Sequence, residues 1–342
     1  MARTVKKRKM KTGAPGGGKK LNWGDLRFPG ENTHYWLVVM ALIWGCIILA
    51  ALGWYSSGKV YWQWVYLGLW PIGSLLLVNF MADKPRRKQL KEIGPQCQVR
   101  ANSNAALHRK LLEVCQCLEV RTPPKACLLE EEAAYIYSMP GGSGTIILTS
   151  GLASQLRPEE LGVVLAREIA HLKFGHLRLQ RAIGYIRTTS NTIGLLFGPV
   201  WLWAMMMGEW LDLTEFTADR AALAVSGDPR LVDATIAKTA AARDPQSGIT
   251  PAEIEEYISM PPQDSLDSAE LEQRFKLDRF INEEPALKER IAQVVEYYQS
   301  EEGIEFLNAL AAKQGRPPIK IIEKAAPVVE DKSEKHWASF DQ

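Results

Sequence analysis

Tyr35 to Tyr55 (YWLVVMALIWGCIILAALGWY) runs for 21 residues without a charged side chain, and Val60 to Met81 for another 22. Each is long enough to cross a hydrocarbon layer of about 30 Å as a helix. Each carries Trp and Tyr near its ends, where such rings settle at a membrane interface. Only Ser56–Lys59 separates the two runs, so residues 35–82 predict a tight two-helix transmembrane hairpin (arms 35–55 and 60–81). The rest of the chain must fold outside it.

Charge sets the expected orientation. Residues 1–34 carry nine Lys or Arg against Asp25 and Glu31, a local +7 within a net +2, so the remainder sums to −5. DKPRRKQLK, after the second run, is basic again. Positive flanks on both sides put both ends of the hairpin on the cytoplasmic face, in an inner or plasma membrane crossed more than once. The arm 1–34, KKRKMKTGAPGGGKK at its centre, has too few apolar residues to fold alone and is expected to be disordered. Its charges suit a lipid bilayer as partner. No aromatic residues interleave them as in a nucleic-acid-binding arm, so nucleic acid is not expected as a partner. Five cysteines, an odd number with Cys115 and Cys117 two apart, make no disulfide framework and suit a reducing compartment.

From Lys88 to Gln314 the composition is that of a folded α+β domain, and residues 315–342, rich in Pro, Lys and Glu, read as a disordered tail. Asn104–Val120 has helical spacing. PPKACLLEE and AAYIYSMPGGSGTIILTS read as strands, the latter as a hairpin about Pro-Gly-Gly. Ser150 to His176, Leu231–Ala241, Ala252–Ser259 and Ser268–Tyr298 read as helices. A further uncharged stretch, residues 188–208, is long enough to span, a point taken up below.

The chemistry lies in LGVVLAREIAHLKFGH, Leu161–His176. Residues four apart share a helix face. In a His-Glu-x-x-His arrangement two imidazoles on that face hold a metal and the Glu acts as general base on its bound water. Here the corresponding positions are Arg167, Glu168 and His171. Downstream, Glu215 and Asp219 in EFTADRAAL are again four apart, the arrangement in which a Glu completes a zinc site and an Asp holds an imidazole by its free N–H. Arg cannot ligate a cation, because guanidinium has donors only. A unit charge ~4 Å from a divalent ion is repelled by about 8 kcal/mol at an effective dielectric of ~20, against a zinc affinity of about 10–16 kcal/mol for a complete site. An Arg among carboxylates instead serves as a resident cation, pairing bidentately. His176 lies five residues past His171, about 140° round a continuous helix, and does not replace the lost imidazole.

Lys88–Val295 resembles the HtpX-like membrane metalloproteases, relatives of the type I CAAX prenyl proteases. The resemblance rests on TSGLASQLRPEELGVVLAREIAHLKFGH, EFTADRAAL with GDPR, and EEPALKERI. It implies a mainly helical gluzincin-type domain with a small β-sheet behind a two-helix anchor. It also implies a zinc cofactor and membrane or misfolded proteins as clients. By position, Glu168 matches the general base, His171 and Glu215 two metal ligands, and Asp219 the carboxylate behind them. An edge strand near Tyr135–Thr149 would hold extended peptide by β-augmentation. Arg167 stands where the first ligand is expected, and Glu284-Pro285 where the family has His-Pro. Glu284 is therefore a candidate partner for Arg167. If the helices carrying His171 and Glu215 meet, residues 188–208 cannot cross the bilayer once; they re-enter about Gly198-Pro199 or lie along the surface. The expected function is a degenerate homologue that binds membrane or misfolded proteins with little or no zinc-dependent cleavage. The alternative is an active endopeptidase of membrane-protein quality control with an atypical metal site.

Overall fold

The computed structural model describes residues 21–57, scattered positions between 73 and 88, residues 98–188 apart from 101 and 103, and residues 199–243 and 287–318. The second arm of the expected hairpin lies almost wholly outside these, as do Glu284, Ala252–Ser259, residues 268–286 of the expected Ser268–Tyr298 helix, residues 189–198, most of the tail and the first twenty residues of the basic arm.

Ten helices and a three-stranded sheet are described: α1 (Glu31–Ser57), α2 (Ala105–Cys117), β1 (Lys125–Leu129), β2 (Ile136–Met139), β3 (Thr145–Thr149), α3 (Ser150–Gln155), α4 (Pro158–Phe174), α5 (His176–Thr188), α6 (Pro199–Met206), α7 (Gly208–Ser226), α8 (Pro229–Arg243), α9 (Leu287–Gln299) and α10 (Glu301–Lys313). The domain is mainly helical with a small sheet, as expected. The sheet order is β1-β3-β2. β2 and β3 form the expected antiparallel hairpin, with Ile136 opposite Leu148 and Met139 opposite Thr145. β1 joins β3 in parallel. Among the described residues, that leaves one side of β2 as a sheet edge.

The hairpin turn lies against α4. Gly144 has φ +91°, and a Cβ there would fall 2.4 Å from the Leu172 side chain. Only glycine allows both the left-handed backbone and this approach.

α4 and α7 form the central helix pair. Their facing surfaces are built from small residues: Ala166 and Ala170 on α4, and Ala218, Ala221 and Ala222 on α7, all at most 1% exposed. Small side chains let the two axes approach, so polar groups next to that seam meet across it. Leu165, Ile169, Leu107, Val114, Ile146, Ile291 and Leu307 extend one continuous core around the pair. α4 opens with Pro158 in its first turn and Glu160 accepting from the Arg157 backbone N–H at 2.7 Å. It ends at Gly175, φ 79°, whose N–H returns to the His171 carbonyl.

A second, smaller core joins Val38 of α1, Ile183 and Ile186 of α5, Trp203 and Ala204 of α6, and Trp210 of α7. The opposite side of α1 is bare. Trp36, Leu37, Met40, Ile43, Trp44, Ile47, Ile48, Leu52 and Tyr55 are each 45–89% exposed. The transmembrane hairpin is not shown. Among the described residues no helix is long and apolar enough to cross a membrane. In α1 the side chains are described without a break only over residues 31–48, a window that takes in the polar turn Glu31-Asn32-Thr33-His34.

Residues 21–34, grouped by composition with the disordered arm, are folded. A 3-10 turn, Trp23–Leu26, is capped by the Asn22 side chain, and Leu26 is fully buried. The segment crosses the end of α4 and the middle of α7 as a strap. The Lys173 ammonium sits 3.3 Å over the Trp23 ring. Phe28 donates its N–H to Thr217 Oγ1 at 2.9 Å and stacks near Phe216. Three large anchors in a short span outweigh the local charge that suggested disorder.

Candidate functional site

Five of the six side chains singled out in the sequence meet at the α4–α7 seam. Arg167, Glu168 and His171 come from α4, and Glu215 and Asp219 from α7. The sixth, Glu284, lies outside the described residues.

Arg167 is 7% exposed. One terminal nitrogen donates to Glu215 Oε2 at 2.6 Å. Its Nε lies 2.7 Å from Asp219 Oδ1, close enough for an ion pair although the N–H is not directed at that oxygen. The guanidinium therefore sits between the two carboxylates that a metal site would have used as ligand and support. His171 Nε2 approaches the other oxygen of the same carboxylate, Glu215 Oε1, at 3.4 Å. Burial works against a charge on His171, but Glu215, through charge and hydrogen bonding, and Glu168 hold its pKa above the usual value. Glu215 is partly buried, which raises its pKa, yet His171, Arg167 and Arg290 hold it well below the ordinary carboxylate range. Glu215 is thus a carboxylate held between a guanidinium and an imidazole.

Glu168 is 9% exposed and accepts a 2.6 Å hydrogen bond at Oε2 from Ser138 Oγ of β2. The carboxylate in the general-base position is tied to the edge strand.

Three participants were not singled out from the sequence. Arg290 of α9 grips Asp219 bidentately, Nε to Oδ2 at 2.9 Å and a terminal nitrogen to Oδ1 at 2.7 Å. Leu287, Ile291 and Val294 form the buried face of α9 and Arg290 falls on the same face, so a charge on an apolar stripe was the available signal. Ser138 alternates with Ile136 along β2 and shares its inward face. Glu31 is 1% exposed, although it precedes an apolar run that carried all the attention.

Glu31 reaches the site through His176. The sequence expectation put His176 round the far side of one helix from His171. Gly175 breaks that helix, and the two ring centroids lie 5.4 Å apart. His176 Nδ1 is 3.2 Å from His171 Nδ1, and His176 Nε2 is 3.1 Å from Glu31 Oε1. Thr217 donates to Glu31 Oε2 at 2.5 Å, and Arg27 pairs with Oε1 at 3.4 Å. Gln180 also reaches His171 Nδ1, at 3.5 Å. Behind Asp219, the Asp233 carboxyl is fully enclosed with neither oxygen hydrogen-bonded among the described residues. Burial first, then Asp219 and Asp228, push its pKa well above the usual range.

Comparison with known proteins gives this seam its family. The profile of peptidase family M48 matches residues 101–297, more than half of the chain. The chain belongs to peptidase family M48, and its architecture and site sequence are those of a metalloprotease-type domain. It is 30% identical over 160 residues to the Plastoglobule-localized metallopeptidase 48, chloroplastic, of Arabidopsis thaliana, covering 44% of each chain. It is 28% identical over 112 residues to a Protease HtpX homolog of Helicobacter pylori, covering 32% of this chain and 35% of the relative. The chain thus spans less than half the length of the curated relatives it matches. No solved structure matches it.

Membership of M48 implies a metal cofactor, typically zinc. The donors present do not fit one. His171 and Glu215 are two ligands where a catalytic zinc uses three protein ligands. The third position holds a guanidinium, which has no lone pair to give and is already bonded to Glu215. Among the described residues no group of three or more His, Cys, Asp or Glu could hold a metal ion.

Proposed function

We propose that this chain is a membrane-anchored M48 homologue that has exchanged its metal for a resident cation and binds membrane or misfolded proteins without zinc-dependent cleavage. One observation carries the reading: the Arg167 guanidinium between Glu215 and Asp219, bonded to the first at 2.6 Å. The exchange keeps a cation at the site, one positive charge in place of two. The carboxylates that would neutralise a divalent ion neutralise Arg167, with Arg290 adding a second cation on Asp219. In this reading Glu168 is the remnant of the general base, His171 and Glu215 of the metal ligands, and Asp219 and Glu284 partners of Arg167.

The free side of β2 is where an extended client segment adds a strand, hydrogen-bonding its backbone to the unpaired edge. Membrane attachment is supported by the bare apolar side of α1 and the two uncharged runs, 35–55 and 60–81. An apolar surface of that extent marks a membrane or protein contact. The domain division follows: a basic arm, the hairpin 35–82, the M48 domain 88–314 with residues 188–208 returning on one side of the bilayer, and a tail 315–342. The HtpX-type relative favours a membrane location, the plastoglobule-localized relative an organellar one, and the basic flanks of the two uncharged runs favour the domain on the cytoplasmic face. The competing reading, an active zinc endopeptidase, draws on the convergence of Glu168, His171 and Glu215.

Metal analysis separates the two. After dialysis the purified full-length chain is expected to hold far less than one zinc per chain, and to bind an unfolded peptide more tightly than a backbone N-methylated copy of the same peptide, which cannot add a strand to β2. Stoichiometric zinc, or cleavage of casein abolished by Glu168→Gln, would establish the endopeptidase instead.

A further inference from the structure

A cleft of about 570 Å³ opens on the other side of the His171–His176–Glu31 chain. It is bounded by the start of α1, the first turn of α5, and α6. Its two ends differ in chemistry. Along α1 its lining passes from Glu31 and Asn32, with Arg27 and His176 beside Glu31, to Val39 and Leu42, and Arg178 and Trp203 also line it. Along α1, Glu31 and Leu42 are eleven residues apart, about 16 Å at helical rise. From headgroup region to upper acyl chain a phospholipid changes from charged to apolar over a similar distance.

The polar end favours an anion. Arg178 is exposed, and no ion pair or hydrogen bond holds its guanidinium among the described residues. Glu31, in the wall of the cleft, is engaged at Oε1 by His176 and Arg27 and at Oε2 by Thr217, so it offsets Arg27 and leaves Arg178 as the uncompensated cation of the lining among the described residues. Guanidinium is matched to phosphate in shape and hydrogen-bonding geometry.

We infer that the cleft between α1, α5 and α6 binds an anionic phospholipid, its phosphate on Arg178 and an acyl chain along Val39, Leu42 and Trp203. The site rests on the membrane attachment proposed above. Its wall includes the His176 ring, whose other side contacts His171 of the α4–α7 seam.

The full-length protein, reconstituted in vesicles of phosphatidylcholine with added brominated phosphatidylglycerol, tests it through quenching of tryptophan fluorescence. Quenching should saturate at low phosphatidylglycerol content, with brominated phosphatidylcholine far less effective. Arg178→Glu should weaken phosphatidylglycerol binding about fivefold or more, and Arg121→Glu, on an exposed loop, should leave it unchanged. Val39→Phe should lower binding by filling the apolar end. Flotation of each variant reports membrane attachment separately. A wild-type chain that does not float with vesicles overturns the attachment reading and this inference together. A chain that floats but shows equal quenching by both lipids, or an Arg178→Glu variant that binds like wild type, overturns the lipid site alone.

Discussion

Replacing Arg167 by Met keeps the length of the side chain and removes its charge. In the wild type Arg167 is nearly enclosed and bridges Glu215 and Asp219. Removing one partner of a fully buried pair costs about 3–5 kcal/mol. Here Asp219 retains two bonds from Arg290, and the Glu215 side chain is 25% exposed and retains His171. The lower end applies after allowance for solvent, about 2–3 kcal/mol. For a domain of this size that lowers the melting temperature by roughly 5–10 °C, readable by scanning fluorimetry in chelator-treated buffer. Arg167→His should behave differently. Without zinc it is destabilised in the same way, but it restores an imidazole beside His171 and Glu215. Zinc at a hundredfold excess over its dissociation constant should then return about 2.7 kcal/mol. The wild type should show no zinc-dependent shift. The resident-cation argument fails if Arg167→Met melts at or above the wild-type temperature, or if zinc raises the wild type as much as Arg167→His.

Three other substitutions probe the surroundings. Asp233 has a folded-state pKa raised well above its unfolded value near 3.8, so its contribution is fully present below that value and is lost as pH rises through the folded pKa; Asp233→Asn should raise the melting temperature near neutral pH and lose that advantage in acid. Glu31→Ala leaves His176, Thr217 and Arg27 without their shared acceptor and should cost about 3 kcal/mol in urea unfolding; a change within error would mean the strap is not anchored by this carboxylate. Leu165→Ala, at a position 1% exposed in the central seam, should cost about 2–5 kcal/mol with an unchanged denaturant slope.

What could be read from the sequence was local or periodic. The β2–β3 hairpin announces itself by Pro140-Gly141-Gly142, and α4 by its apolar spacing and its Pro158–Glu160 start. The site pairs were legible because 167, 168 and 171, and 215 and 219, obey helix geometry within single elements. What escaped was long-range. Arg290 meets Asp219 across 71 residues, and Glu31 meets His176 across 145. No local pattern encodes such partners. The His171–His176 contact escaped for a different reason: one left-handed glycine, Gly175, turns a continuous helix into two. The strap, residues 21–34, was hidden by averaging its three aromatic and aliphatic anchors with the charges upstream.

That strap also has a mechanical meaning. Its last residue before α1, Gly30, is followed at once by Glu31, which is clamped from three sides. No slack tether lies between the domain and the helix leading away from it. The body of the protein therefore cannot swing like a ball on a chain. If α1 enters a membrane as proposed, the mouth of the domain is held at one height and one compass bearing over it.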